Sequence, residues 1–355
     1  MADAEPTPRA ADRTQTIERL RLRFAGVKNG GTVLEDILGA AVAFCSGEMA
    51  AYPGLCVLLP PVGEVRFGRE EHPRAAWRGD LADFLKAANL PAMPQVGLEL
   101  KRMLDNPNST ADELAQVVLK DQKLTAAVLK LVNSPMFMLP SKVDTVTRAI
   151  TVVGRKHVSH LALGAILMTI FDASPKDAIQ LGNFWRHSLA VALIARNVAR
   201  VVGKKVPERY FVAGLLHDIG QLAILYRLPA AAQAIFALSS AEHLDHFQAE
   251  QELLGFTHAE VGEALLAGWH FPTHLVASIA FHHCPSHDLE QDVARIVHVA
   301  DVLAQALGLA TCPDFYVSSL NCEAFTALRL DRKTLDLALE GLGQQLDSVY
   351  SILAR

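Results

Sequence analysis

The sequence predicts an all-α, multi-helix domain preceded by a small N-terminal α+β module. From about residue 85 onward, apolar residues recur at helical spacing, as in Leu124, Val128 and Leu131, which fall on one helix face. The alternation of apolar and polar residues that indicates strands does not occur after about residue 70. The 355 residues, 51% of them hydrophobic, are enough for a sizeable core and for more than one domain.

The N-terminal region is predicted to contain a tail and a small module. Residues 1–15 are rich in Ala, Pro and charged residues, a composition typical of a disordered segment. Residues 16–84 are predicted to form helices at Thr16–Val27 and Thr32–Cys45, followed by two short strands within Gly54–Gly68 about a Pro-Pro-Val-Gly turn. The sequence of this module indicates no function.

Helical patterns occupy the rest of the chain, as a main domain at residues 85–310 and a C-terminal helical extension at residues 311–355. Ser109 or Thr110 can cap a helix that contains Glu113. The other helices are predicted at Asp80–Ala88, Gln95–Leu104, Asp121–Val132, Val146–Val153, Lys156–Phe171, Phe184–Val202, Glu208–Leu225, Pro229–Ser239, His246–Leu254, His258–Trp269, Pro272–Phe281, Gln291–Leu309 and Arg332–Leu353.

Composition excludes several classes of function. The net charge of -5 argues against a nucleic-acid-binding protein, and the basic run Arg196–Arg209 fits a solvated helix end and loop. The five cysteines are scattered without a CxxC pair, which fits a reducing compartment. The N-terminus lacks a signal-peptide core, and the longest apolar run, Leu161–Phe171, is too short to cross a bilayer. We therefore expect a cytoplasmic protein without a membrane or nucleic-acid partner.

The stretch Phe211–Gln221 places a His-Asp pair, His217 and Asp218, within an apolar helical pattern. A helix that is apolar nearly all round is buried, and a buried carboxylate is costly without a cation, a metal or strong hydrogen bonds. Asp218 therefore needs a partner, while Gly220 suits a helix end or bend. The alternative is a core histidine with satisfied hydrogen bonds beside a helix-capping aspartate.

Further histidines and an aspartate lie in apolar helical segments on both sides of this pair. Imidazole and carboxylate ligands together suit Fe, Mn, Zn or Ni, and a carboxylate can bridge two ions of a site that activates water for attack on phosphorus. The pattern predicts a divalent transition metal, while His246 and six other histidines fit no ligand pattern. The predicted metal ligands are His187, His217, Asp218, His258, His282, His283 and Asp301.

These ligands resemble the series found in HD-superfamily metal-dependent phosphohydrolases, and LLHDIG, HAEVG, HH and HVAD resemble blocks of the HD-GYP cyclic di-GMP phosphodiesterases. The wider pattern is more similar to the HDOD family, a relative usually regarded as non-catalytic. The resemblance covers roughly residues 85–310. It rests on LPAMPQ at Leu90–Gln95, on the segments Asp112–Pro135 and Val146–Gly154, and then on FWRHS, FVAGLLHDIGQL, HAEVGEALLAGWHFP and IAFHHCP in order.

Two departures from the phosphodiesterases bear on activity. Gln221 stands where they carry a lysine after HDIG, which removes a cation for the substrate phosphate. The sequence HHCPSHDLEQD after His282–His283 contains no Gly-Tyr-Pro loop. The resemblance therefore implies a non-catalytic bacterial signal-transduction module that acts through signalling proteins and can retain a metal. The alternative is a metal-dependent phosphohydrolase acting on a nucleotide or cyclic dinucleotide.

Overall fold

The computed structural model describes residues 35–37, 39–41, 79–87, 92–106, 108–170, 181–242, 244–285, 292–311, 318 and 320–353. Every regular element in these residues is an α-helix, which confirms the predicted all-α class. The predicted tail, the helix Thr16–Val27 and the strands within Gly54–Gly68 lie outside the described residues. The division of the chain into domains stays a prediction.

The N-terminal half of the helical region contains six helices with defined bounds. Thr110 rather than Ser109 caps the third, because its side chain accepts from the Glu113 backbone while Glu113 accepts from the Thr110 backbone. The Ser109 hydroxyl is buried and donates to the Met103 carbonyl at 2.8 Å. The helices are α1 (Leu81–Ala87), α2 (Gln95–Asp105), α3 (Ala111–Leu119), α4 (Gln122–Val132), α5 (Val146–Val153) and α6 (Arg155–Ile170).

Four of the remaining helices pack around one long buried helix, α7. Apolar and small residues lie on nearly all of its faces, so α7 packs against α8, α14, α16 and α17 at once. The remaining helices are α7 (Leu181–Val201), α8 (Glu208–Leu216), α9 (Ile219–Arg227), α10 (Pro229–Glu242), α11 (His246–Leu254), α12 (His258–Gly268), α13 (Thr273–Ala280), α14 (Asp292–Ala306), α15 (Cys322–Ala327), α16 (Arg332–Leu339) and α17 (Leu342–Leu353).

Two long helices of the sequence prediction are each divided in the structure. The predicted helix Glu208–Leu225 is α8 and α9, separated by a turn at His217 and Asp218. The predicted helix Arg332–Leu353 is α16 and α17, separated where Gly341 adopts a φ of 69°, a conformation that favours glycine. Periodicity alone missed both breaks because the apolar spacing continues through them.

The helix end or bend predicted at Gly220 lies two residues earlier, at His217–Asp218, and Gly220 itself is in the first turn of α9, where α9 crosses α12. A Cβ atom at this position would lie 2.0 Å from the His258 carbonyl oxygen and 2.8 Å from the Gly262 nitrogen. Only glycine lets the two backbones approach this closely. The contact brings the start of α12 directly beside the turn that carries Asp218.

Among the described residues, no helix combines the length and the apolar character that crossing a bilayer requires.

Candidate metal centre

All seven residues predicted as ligands converge at one buried place in the fold. They form two groups, and within each group one ligand atom per residue lies within 4.8 Å of the others. His187 comes from α7, the His217–Asp218 turn joins α8 to α9, and Asp301 comes from α14. The groups are Asp218, His258, His282 and His283, and His187, His217 and Asp301.

Asp218 lies between the two groups and faces each with a different oxygen. Its Oδ1 is 3.2 Å from His258 Nε2 and 3.6 Å from His282 Nε2. Its Oδ2 is 3.2 Å from His217 Nε2 and 3.7 Å from His187 Nε2. This is the arrangement of a carboxylate that can bridge two ions.

Asp301 completes the group around His187 and His217. Its Oδ1 lies 3.2 Å from His187 Nε2 and 3.8 Å from His217 Nε2. The Gln305 amide, one turn along α14, donates to the same oxygen at 2.8 Å and thereby orients the carboxylate.

Acceptors outside the cluster fix the orientation of the histidine rings. The Nδ1 atoms of His187, His217 and His282 lie 2.6–2.8 Å from backbone carbonyl oxygens. A carbonyl only accepts, so each Nδ1 carries a proton and each Nε2 is turned inwards, towards the carboxylates. His258 Nδ1 instead lies 2.6 Å from Glu250 Oε2. Such outer partners are what metal-binding histidines have in proteins.

The inner nitrogens lie too close together to be satisfied by one another. His258 Nε2 is 3.3 Å from His282 Nε2 and 2.9 Å from His283 Nε2, and only one proton can be shared in each contact. His217 Nε2 is fully buried and makes no hydrogen bond within the described residues. A buried nitrogen without a hydrogen bond, beside two carboxylates and three crowded imidazole nitrogens, fits a bound metal, because leaving such a nitrogen away from water without a partner is costly.

Burial and charge shift the pKa values of these groups in opposite directions. Burial lowers the pKa of His282 and, more strongly, of His283, which keeps both rings neutral. Burial also opposes charging of His258, but Glu250 and Asp218 outweigh it and raise the pKa of His258 to about 10. For Asp218, burial raises the pKa, yet the neighbouring histidines hold it well below its ordinary value.

The alternative of a helix-capping aspartate is wrong. Asp218 occupies the residue before α9, but its side chain makes no capping hydrogen bond to that helix. Both carboxylate oxygens face histidine nitrogens instead.

Two residues that the sequence did not single out extend the cluster. Glu250 on α11 is buried and contacts both the ring and the backbone nitrogen of His258. His246, which fits no ligand pattern in the sequence, lines the cavity of the centre and lies 3.4 Å from Glu250. Their spacing of four residues on one helix face is the only sequence signal for this pair. His298 points elsewhere, towards the His282 carbonyl and the Asn321 backbone.

A small cavity of about 30 Å³ opens at the centre. Gln221 lines it, and its Oε1 is buried without a hydrogen bond in the described structure. Among the described residues that line this cavity, none is a lysine or an arginine. Its volume admits ions and water but leaves little room for an organic substrate.

Solved structures share this architecture. An HDOD domain protein of unknown function from Geobacter sulfurreducens is 25% identical, with a TM-score of 0.66 over 77% of this chain and 99% of that one. A protein from Shewanella amazonensis SB2B whose name proposes a phosphohydrolase is 28% identical, with a TM-score of 0.59 over 77% and 98%. A protein from Marinobacter aquaeolei VT8 whose name proposes signal transduction is 22% identical, with a TM-score of 0.62 over 86% and 66%, and shows the fold alone.

Sequence comparison gives one curated relative and a family. An uncharacterized protein of Treponema pallidum (strain Nichols) is 23% identical over 214 residues, which is 60% of this chain but 41% of the relative. The chain therefore spans less than half of that relative. The model of the HDOD domain family matches residues 90–285, more than half of the sequence. The chain belongs to the HDOD domain family.

Proposed function

We propose that this chain is a bacterial signal-transduction module that binds a divalent transition metal and acts through signalling proteins, without hydrolysing a substrate. Metal binding is supported chiefly by Asp218, whose two oxygens face two separate sets of histidines. The resemblance to regulatory HDOD domains supports the signalling role, and the net charge of -5 favours protein partners over nucleic acid.

The donor set supports a site for two ions, each held by one of the two groups of residues. Asp218 would contribute to both, and nitrogen with carboxylate oxygen favours Fe, Mn, Zn or Ni over Mg or Ca. Such ions supply Lewis acidity towards phosphoryl oxygens and lower the pKa of water. One ion would be held by His187, His217 and Asp301 with Asp218, and the other by His258, His282 and His283 with Asp218.

The lining of the cavity supports a role without turnover. A phosphodiester brings negative charge towards two buried carboxylates, and none of the described lining residues is a lysine or an arginine that could offset it. Gln221 occupies the position at which the related phosphodiesterases carry a lysine. The small volume of the cavity also favours an ion over a nucleotide.

Metal analysis of the purified protein tests whether the chain binds metal. We expect up to two ions per chain in the wild type, and less than about a tenth of that in Asp218→Asn, because the shared ligand is lost. Asp121→Asn is the control, since Asp121 caps α4 away from the centre and asparagine caps equally well. A wild type that neither co-purifies with metal nor binds it on reconstitution refutes this part of the proposal.

The second candidate is a metal-dependent phosphohydrolase of the HD superfamily acting on a nucleotide or cyclic dinucleotide. The two-sided environment of Asp218 favours it, because two-metal sites serve this reaction. Hydrolysis of cyclic di-GMP and of p-nitrophenyl phosphate by metal-loaded protein decides between the candidates. Turnover that disappears in Asp218→Asn establishes the enzyme, and its absence in protein with full metal content supports the signalling module.

A further inference from the structure

A second cavity, of about 250 Å³, lies between α2, α6, α8 and α13. None of its lining residues belongs to the metal centre or lines the cavity there. The volume is several times that of the cavity at the metal centre and approaches that of typical small-molecule sites. It is therefore a separate place at which an organic molecule can bind.

The charge of this cavity is positive. Lys101, Lys156 and Arg209 line it, and none of the described lining residues is an aspartate or a glutamate. His160 and His274 also line it, and burial lowers the pKa of His160 to about 4, so His160 adds no charge to that of the two lysines and the arginine. Glu208, beside Arg209 in α8, is already paired with Arg196 and His157.

Arg209 is the lining cation that has a buried donor without a hydrogen bond in the described part of the chain. Its Nε is buried without a hydrogen bond in the described residues, and one of its terminal nitrogens reaches only the Tyr210 hydroxyl at 3.4 Å. A guanidinium presents its donors as a planar fork that matches phosphate and carboxylate oxygens. A buried donor of this kind is costly unless a ligand satisfies it.

The rest of the lining is apolar. Leu104, Leu163, Val212 and Leu275 contribute aliphatic surface, and Phe271 adds an aromatic ring at the loop before α13. Cations around an apolar floor fit a molecule that carries negative charge at one end and a hydrophobic body at the other. Three cations match the double charge of a phosphate monoester better than the single charge of a carboxylate.

We propose that this cavity binds a small organic phosphate monoester, with the phosphate on Arg209 and the lysines and the apolar body against Phe271 and Leu275. The ligand would touch the first turns of α8 and α13. The same two helices lead directly to His217 and His282 at their other ends. A ligand here therefore contacts two of the helices that support the metal centre without entering that centre.

Isothermal titration of the full chain with phenyl phosphate tests this site. We expect binding by phenyl phosphate, and binding weakened at least about tenfold for inorganic phosphate, phenol and benzoate, because each lacks the second charge or the body. Equal binding of benzoate overturns the phosphate assignment, and equal binding of inorganic phosphate overturns the apolar contact.

Substitutions test whether phenyl phosphate binds in this cavity. Arg209→Gln should weaken phenyl phosphate binding at least about tenfold and Lys156→Gln several-fold, whereas Arg148→Gln, on the exposed face of α5, should not. Lys156 is exposed, so its replacement tests the site even if Arg209→Gln fails to fold. Asp218→Asn should bind phenyl phosphate as the wild type does. Loss of binding in Asp218→Asn with retention in Lys156→Gln would place the ligand at the metal centre and overturn the proposal.

Discussion

Two buried carboxylates near opposite ends of α8 are stabilised in different ways. Glu208 begins the helix and has its own cation, with Arg196 Nε 3.1 Å and His157 Nε2 2.9 Å from its oxygens. Asp218 follows the end of the helix and is surrounded by histidines. The central helix α7 serves both places, since it supplies Arg196 to one and His187 to the other.

The difference separates an ion pair formed within the chain from an incomplete set of metal ligands. Burial alone would raise the pKa of Glu208, but His157 and Arg196 outweigh it and hold that pKa at about 2. At Asp218 the neighbouring histidines leave a buried nitrogen of His217 without a hydrogen bond. Glu208 is therefore paired with a permanent cation of the chain itself, whereas Asp218 is surrounded by histidines, an environment that suits a metal ion.

The largest expected effect comes from removing Glu208. We predict that Glu208→Ala lowers the free energy of unfolding by about 3–5 kcal/mol, because it leaves the Arg196 charge buried without its partner. Denaturant unfolding measures this loss. Glu99→Ala is the matched control, since the Glu99–Lys120 pair is exposed to solvent and its removal should change stability little.

Metal content measured on the same variant sharpens the comparison. Folded Glu208→Ala should retain the metal content of the wild type, because Glu208 contacts none of the proposed ligands. A loss of metal without a loss of stability would mean that the two carboxylates belong to one functional unit.

The next largest effect we expect is a dependence of stability on pH, caused by Glu208 and His157. The pKa of Glu208 is lowered from an unfolded value near 4.5 to about 2, so its contribution is present above pH 4.5 and is lost as pH falls towards 2. The hydrogen bond and the charge of Glu208 raise the pKa of His157 above 6.5, so its contribution is present below pH 6.5 and is lost as pH rises through the raised value. The pair therefore stabilises most between these limits.

Denaturant unfolding at different pH values tests whether stability falls with pH as the lowered pKa of Glu208 predicts. Between pH 6 and pH 3, we expect the wild type to lose about 2 kcal/mol more than Glu208→Gln, which cannot titrate. Parallel pH profiles of the two proteins would contradict the assignment of this stability to Glu208.

The sequence predicted most of the helices and brought forward all seven residues that converge in the structure. It could do so because polar ligand residues in apolar segments are costly to bury without a partner, and such residues can be recognised in the sequence alone. Asp218 is the clearest case, since a carboxylate among Leu216, Ile219 and Leu222 requires a partner somewhere in the fold. Whether these residues bind metal stays a prediction.

Features that depend on the meeting of distant segments could not be predicted in this way. The turn at His217–Asp218 lies within continuous apolar spacing, and Gly220 is required only because α12 passes against it. Glu250 acts on His258 across the α11–α12 connection, and no local pattern marks it as a partner. The basic cavity likewise combines residues from α2, α6, α8 and α13, far apart in sequence.

Replacing Gly220 should disturb the proposed ligand set without changing any of the ligand residues. We predict that Gly220→Ala destabilises the fold by about 1–3 kcal/mol and weakens metal binding, because the new methyl group would overlap the His258 carbonyl oxygen. Denaturant unfolding and metal titration measure the two effects. Gly268→Ala, at the other end of α12 with no atom near the added methyl, should leave metal binding unchanged.

The smallest effect should come from the cap that starts α12. Thr257 accepts from the Glu260 backbone and immediately precedes His258, so Thr257→Ala should cost about 1 kcal/mol and loosen the position of that ring. Thr145→Ala removes the side-chain cap of α5, distant in sequence from the centre, and should also lower stability. Metal titration separates the two, because only Thr257→Ala should reduce affinity, and only for the ion that His258 helps to hold. Equal affinities in both variants would show that His258 is positioned by Glu250 and Gly220 alone, and that the cap stabilises the helix without serving the site.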